Sequence, residues 1–184
     1  MIRPLYFHNP NQEGFEAIIK HLHSKNYKFI SIEELYSRLE KNDTKGKLAY
    51  ISFDDGWQGN LKLIPIIEKY NVHITIFIAV NPIMSGNFWW EFVAKKVGYT
   101  QMQNFKNLPH DEFESQLKKI KTEVADLQRS AMTIDELETI TKHPLISIQS
   151  HTINHPILTK LPDDLLDFEL SESQKQLEKI TGKS

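Results

Sequence analysis

Cysteine is absent from the 184 residues. Without it there can be no disulfide, no thiolate metal site and no cysteine nucleophile, so any metal must be held by histidine, aspartate or glutamate. Long hydrophobic runs are missing too: none approaches the ~20 residues that cross a bilayer. The first ten residues, Met1 to Pro10, lack the basic-then-apolar layout of a secretory signal. No membrane span is expected, and a complete chain of this kind would be cytoplasmic. Nor is there an excess of one charge. With 22 basic against 24 acidic residues and a formal charge of −2, no surplus of cations is left to draw the chain onto a phosphate backbone, which argues against generic nucleic-acid binding. No repeat, low-complexity tract or linker divides the chain, so residues 1–184 read as a single domain, 40% hydrophobic. A domain of this size buries roughly two-thirds of the surface its unfolded chain exposes.

The patterning alternates between two periods. Phe15, Ile18, Ile19 and Leu22 draw one stripe down a helix that stops near Asn26. Phe29 to Ile32 is a short β-prone segment, followed by a helix over 33–41 with Leu35 and Leu39 on one face. After a polar loop, Leu48 to Phe53 is apolar almost throughout, the pattern of a strand covered on both faces in a parallel sheet. A helix near 61–70, a strand at 74–80 and a mostly helical stretch from Phe88 to about Ser130, broken around 107–109, come next. Thr133 with Glu136 forms a capping box at the start of another helix. The pattern closes with a strand at 145–149 and an amphipathic helix over 165–180 that Gly182 ends. Helices alternating with short buried strands predict an α/β fold with parallel strands.

Two motifs sit at the carboxyl ends of these strands, where parallel folds gather ligands and catalytic groups. The first is Ser52-Phe53-Asp54-Asp55-Gly56-Trp57. Adjacent carboxylates repel unless a cation or a shared proton compensates them, and the glycine allows the sharp turn that aims both at one cavity. The bland alternative is a solvated Asp-Gly turn. The second motif is His151-Thr152-Ile153-Asn154-His155-Pro156. On a helical or tightly turned backbone, imidazoles at i and i+4 share a face and can bind one metal, although such spacing also arises by chance. Together, one aspartate and two histidines make a three-ligand site with a position left for water, as in catalytic zinc, and leave the other aspartate to act as a base.

These two motifs resemble the Thr/Ser-Phe-Asp-Asp-Gly and His-Ser/Thr-x-x-His-Pro motifs of the polysaccharide deacetylases, carbohydrate esterase family four. The lead-in Tyr27 to Ser31, Pro65, Thr75 to Ile78 and Phe88-Trp89-Trp90 are similar as well, and the likeness spans about residues 12 to 182. The resemblance implies a distorted, incomplete (β/α) barrel that removes acetyl groups from a carbohydrate, usually an N-acetyl group on an amino sugar. It implies Asp54 as the general base, and Asp55, His151 and His155 as ligands of a divalent metal, most often zinc. Such a cation would hold Asp55 ionised and acidify a water for Asp54 to deprotonate.

The chain departs from the family's pattern after its second motif. The Arg-x-Pro-Tyr-like segment that orients the base and the Leu-x-His-like segment that carries a general acid are not found before Ser184. Two hypotheses follow: a C-terminally shortened relative of an active enzyme, or a shortened barrel that keeps the metal site for binding or recruits the missing parts from another subunit. An open barrel edge favours self-association into a homo-oligomer. A non-catalytic carbohydrate-binding or assembly module, and hydrolysis of another non-peptide C–N bond, are the competing functions. His21, His23, His110 and His143 read as surface or loop residues, and His8 as a non-ligand despite its Tyr6-Phe7-His8 setting. Trp57 is expected to line the cavity, whereas Trp89 and Trp90 divide between sugar stacking and packing.

Overall fold

The computed structural model describes residues 1–182. Its strands are β1 (Ile2–Phe7), β2 (Lys28–Ile30), β3 (Leu48–Phe53), β4 (Ile74–Ile78) and β5 (Ile146–Ser150). Its helices are α1 (Gln12–Ser24), α2 (Ile32–Glu40), α3 (Ile64–Lys69), α4 (Val80–Ser85), α5 (Trp89–Val97), α6 (Tyr99–Phe105), α7 (His110–Glu123), α8 (Ile134–Ile140) and α9 (Asp163–Thr181). All strand pairs are parallel, in the order β1-β3-β4-β5 with β2 also paired to β3. Among the described residues no pairing joins β1 to β5, and β1, β2 and β5 each have one strand partner, so the architecture is an incomplete (β/α) barrel.

Every residue of β3 is buried, as its unbroken apolar run requires of a central parallel strand. Phe15, Phe53 and Phe7 meet edge to face, so α1 seals the sheet below the site. A second cluster, with Trp89, Phe105, Phe113 and Leu117, forms inside the helical segment α5–α7 and makes it a packed wall of its own.

Several elements differ from the sequence reading. β1 has no counterpart there; it contains Pro4, which is tolerated because β1 is an edge. Ser31 belongs to no strand: its side chain caps α2 by accepting from Glu34 N–H. The helix expected over 61–70 splits into a 3-10 segment, Gln58–Leu63, and α3, with Pro65 in the first turn of α3, where its missing N–H costs nothing. α7 stops at Glu123, and 124–130 is irregular, with Asp126 in the left-handed region. On α2, Leu39 is exposed rather than facing a core with Leu35. His110 opens α7 instead of lying in a loop.

Candidate metal centre

The first motif leaves the end of β3 with Asp54 still held in sheet register, its N–H donating to Phe7 O at 2.8 Å. Asp55 and Gly56 then take left-handed conformations, at φ 77° and 90°. A methyl group on Gly56 would come within 2.9 Å of Ile78 Cδ1, so the turn needs glycine for space as well as for its dihedral. The turn drives Asp55 inward to 1% exposure and leaves Asp54 half-buried at the rim. Trp57 folds back, and its indole N–H donates to Asp55 Oδ2 at 2.9 Å.

The second motif is a turn rather than a helix. Thr152 and His155 both have positive φ, at 70° and 55°, and this doubles the chain back so that the two imidazoles stand with centroids 4.8 Å apart. The hydroxyl of Thr152 accepts the His155 N–H at 3.0 Å and closes the loop. Thus the i,i+4 spacing does bring the rings together, through left-handed residues in place of helical pitch.

The two motifs converge. His155 Nε2 lies 3.2 Å and His151 Nε2 lies 3.6 Å from Asp55 Oδ1, an oxygen that is buried and makes no hydrogen bond. Ligands at ~2.1 Å from a tetrahedral zinc stand about 3.4 Å from one another. The donor set and the orphaned oxygen therefore fit a divalent cation, and Asp55, His151 and His155 are the group of described residues that could hold one. Burial alone would raise Asp55, but His155 and the Trp57 N–H outweigh it and hold its pKa below the usual value. Burial, helped by neighbouring His155, lowers the pKa of His151, the direction that favours the neutral form a metal needs. Asp54 moves the other way: burial raises it, against the pull of His151 and His8. The two adjacent carboxylates are therefore driven apart in basicity, and the more basic one accepts no hydrogen bond from the described residues.

A cavity of about 310 Å³ opens over the centre, lined in part by His8, Asp55, Trp57, Trp90, Tyr99 and His155. Trp57 is where the sequence placed it. Trp90 stacks on Phe88, 4.7 Å between centroids, and presents its ring to His155 at 4.9 Å. Trp89 is core, but its indole N–H donates to His155 O at 2.9 Å and so braces the second motif. His8 lines the cavity and lies outside the Asp55, His151 and His155 group. Sequence reasoning missed Tyr99 on α6, a lone aromatic at a helix start.

The family model for polysaccharide deacetylases matches residues 41–184, a span that contains both motifs. This chain is a member of the polysaccharide deacetylase family. The curated protein "Putative polysaccharide deacetylase YxkH" of Bacillus subtilis (strain 168) is 24% identical over 168 residues, 90% of this chain and 44% of that protein. The chain thus spans less than half the length of that relative. Among solved structures, the deacetylase PplD of Streptococcus pyogenes, in complex with acetate, superposes with a TM-score of 0.69 at 20% identity, covering 99% of this chain and 70% of PplD. A polysaccharide deacetylase from Bacillus cereus gives 0.64 at 20% identity, covering 99% and 48%. These likenesses establish a deacetylase-type barrel.

Proposed function

We propose that this polysaccharide deacetylase is a metal-dependent hydrolase that removes acetyl groups, N-linked ahead of O-linked, from a polysaccharide or oligosaccharide. The observation that carries the reading is the convergence of two histidines on one buried Asp55 oxygen that accepts no hydrogen bond, beside a second carboxylate of raised basicity. In this reading Asp55, His151 and His155 hold the cation, with zinc the leading candidate for a two-nitrogen, one-oxygen donor set. A cation bound there supplies Lewis acidity, polarising the acetyl carbonyl and acidifying the attacking water. Asp54 is the general base. It is half-buried next to Asp55 in the chain, and burial raises its pKa, the direction that favours proton uptake. Trp57 and Trp90 offer faces for a sugar ring.

A non-catalytic carbohydrate-binding or assembly role is the second reading, favoured by the absence of any hydrogen bond from the described residues to Asp54 that would orient it. Acetate release from acetylated chito-oligosaccharide and from acetylxylan, with zinc present, separates the two. The enzyme reading predicts release that Asp54→Asn reduces by roughly two to four orders of magnitude, the usual worth of a general base, with zinc still bound. Sugar binding with no acetate released in wild type would favour the second.

A further inference from the structure

Glu169 is a buried carboxylate that the reaction does not use. It lies on α9, 6% exposed, and points at the second motif from behind. Its Oε2 accepts the backbone N–H groups of Ile153 at 2.8 Å and Asn154 at 3.0 Å, and its Oε1 accepts Asn154 Nδ2 at 2.6 Å. Asn154 in turn accepts from the side-chain amide of Asn81 on α4, which completes a relay from α9 through the turn to α4.

The rest of the turn is held as fully. His151 N–H donates to Ile78 O at 2.8 Å, Val80 N–H to Thr152 O at 3.1 Å, and Asn81 N–H to Ile153 O at 2.8 Å. Between the two histidines, the N–H groups of Ile153 and Asn154 take their acceptor from α9, in the Glu169 carboxylate. A buried amide left without an acceptor costs about 1–3 kcal/mol, and Thr152 and His155 already occupy an uncommon backbone region. The turn therefore needs an acceptor from another element to keep its shape. We infer that Glu169 is a positioning residue: it holds the 151–155 turn in the left-handed geometry that aims His151 and His155 at Asp55. This rests on the reading of those three residues as metal ligands.

The test is zinc affinity, by chelator competition, together with the visible absorption spectrum of the cobalt-substituted chain, for Glu169→Gln, Glu169→Asp and Glu169→Ala. Ser173→Ala, one turn along α9 and bonded to Ser150 rather than to the turn, is the control. Glutamine keeps length and one oxygen to accept the two backbone N–H groups, and a flip of the Asn154 side-chain amide turns its oxygen to the new NH2, so its affinity should stay within about threefold of wild type. Aspartate keeps the charge but withdraws it from the turn, and alanine removes the acceptor. Both should lose roughly ten- to a hundredfold, the usual cost of removing a partner that orients a ligand, with an altered cobalt spectrum. If Glu169→Ala does not fold, the glutamine and aspartate pair decides. Wild-type affinity in the aspartate variant, or a larger loss in glutamine than in aspartate, overturns the inference, since charge alone would then account for it. A loss in Ser173→Ala equal to that in aspartate also overturns it, because helix docking would be the cause. A wild type that binds no zinc would defeat the metal reading and this inference together, whereas wild-type binding retained by the aspartate variant defeats the inference alone.

Discussion

Neighbouring carboxylates acquire opposite properties through one backbone turn. Asp54 stays in register with β1 and is raised by burial; Asp55, rotated inward by its positive φ, meets His155 and the Trp57 indole and is lowered. Gly56 makes this possible, so Gly56→Ala is a sensitive probe. The added methyl meets Ile78 Cδ1 at 2.9 Å and the residue must hold φ 90°. A non-glycine residue held in such a region costs of order 1–3 kcal/mol, and urea unfolding should show a free energy of unfolding lower by that amount, read as a lowered midpoint with an unchanged slope. At this scale the sequence was most informative. Adjacent acids before a glycine, and paired histidines before a proline, marked residues that the structure brings together. Glu169 was hidden because its partners are backbone amides 15 and 16 residues away, and backbone amides have no signature in sequence.

Among the elements, those with local signals were legible. The capping box at Thr133 forms as read, with Thr133 Oγ1 accepting from Glu136 N–H at 3.1 Å and the Glu136 carboxylate accepting from Thr133 N–H at 2.8 Å. Thr133→Ala should cost about 1 kcal/mol, measured as a fall in the free energy of unfolding, and Thr133→Ser should restore most of it. Elements set by tertiary context were not legible. β1 is a strand because the edge of β3 accepts it, despite Pro4. α9 was read as amphipathic and is, yet its buried stripe holds Glu169 and Ser173 ahead of Leu177, while Phe168 and Leu170 face outward at 52% and 48% exposure. Hydrophobic periodicity marks a helix; it does not say which face a polar network will claim.

For the whole molecule, parallel strands place the carboxyl ends of β3 and β5 on one side of the sheet, two positions apart across β4, and this brings motifs about a hundred residues distant to a single centre. The α5–α7 wall then roofs that centre with Trp90 and Tyr99. Among the described residues no helix is long and apolar enough to cross a membrane. A ligand that binds only the folded state stabilises it, by about 2.7 kcal/mol at a hundred times its dissociation constant, so a cation held at this centre would couple site and fold. The most direct measurement is a calorimetric zinc titration of the chelator-stripped chain beside His151→Ala and Asp55→Ala. The account predicts one zinc per wild-type chain, with binding lost in both variants while their circular dichroism stays folded. A folded wild type that takes up no zinc, or variants that bind it as tightly, would contradict the account.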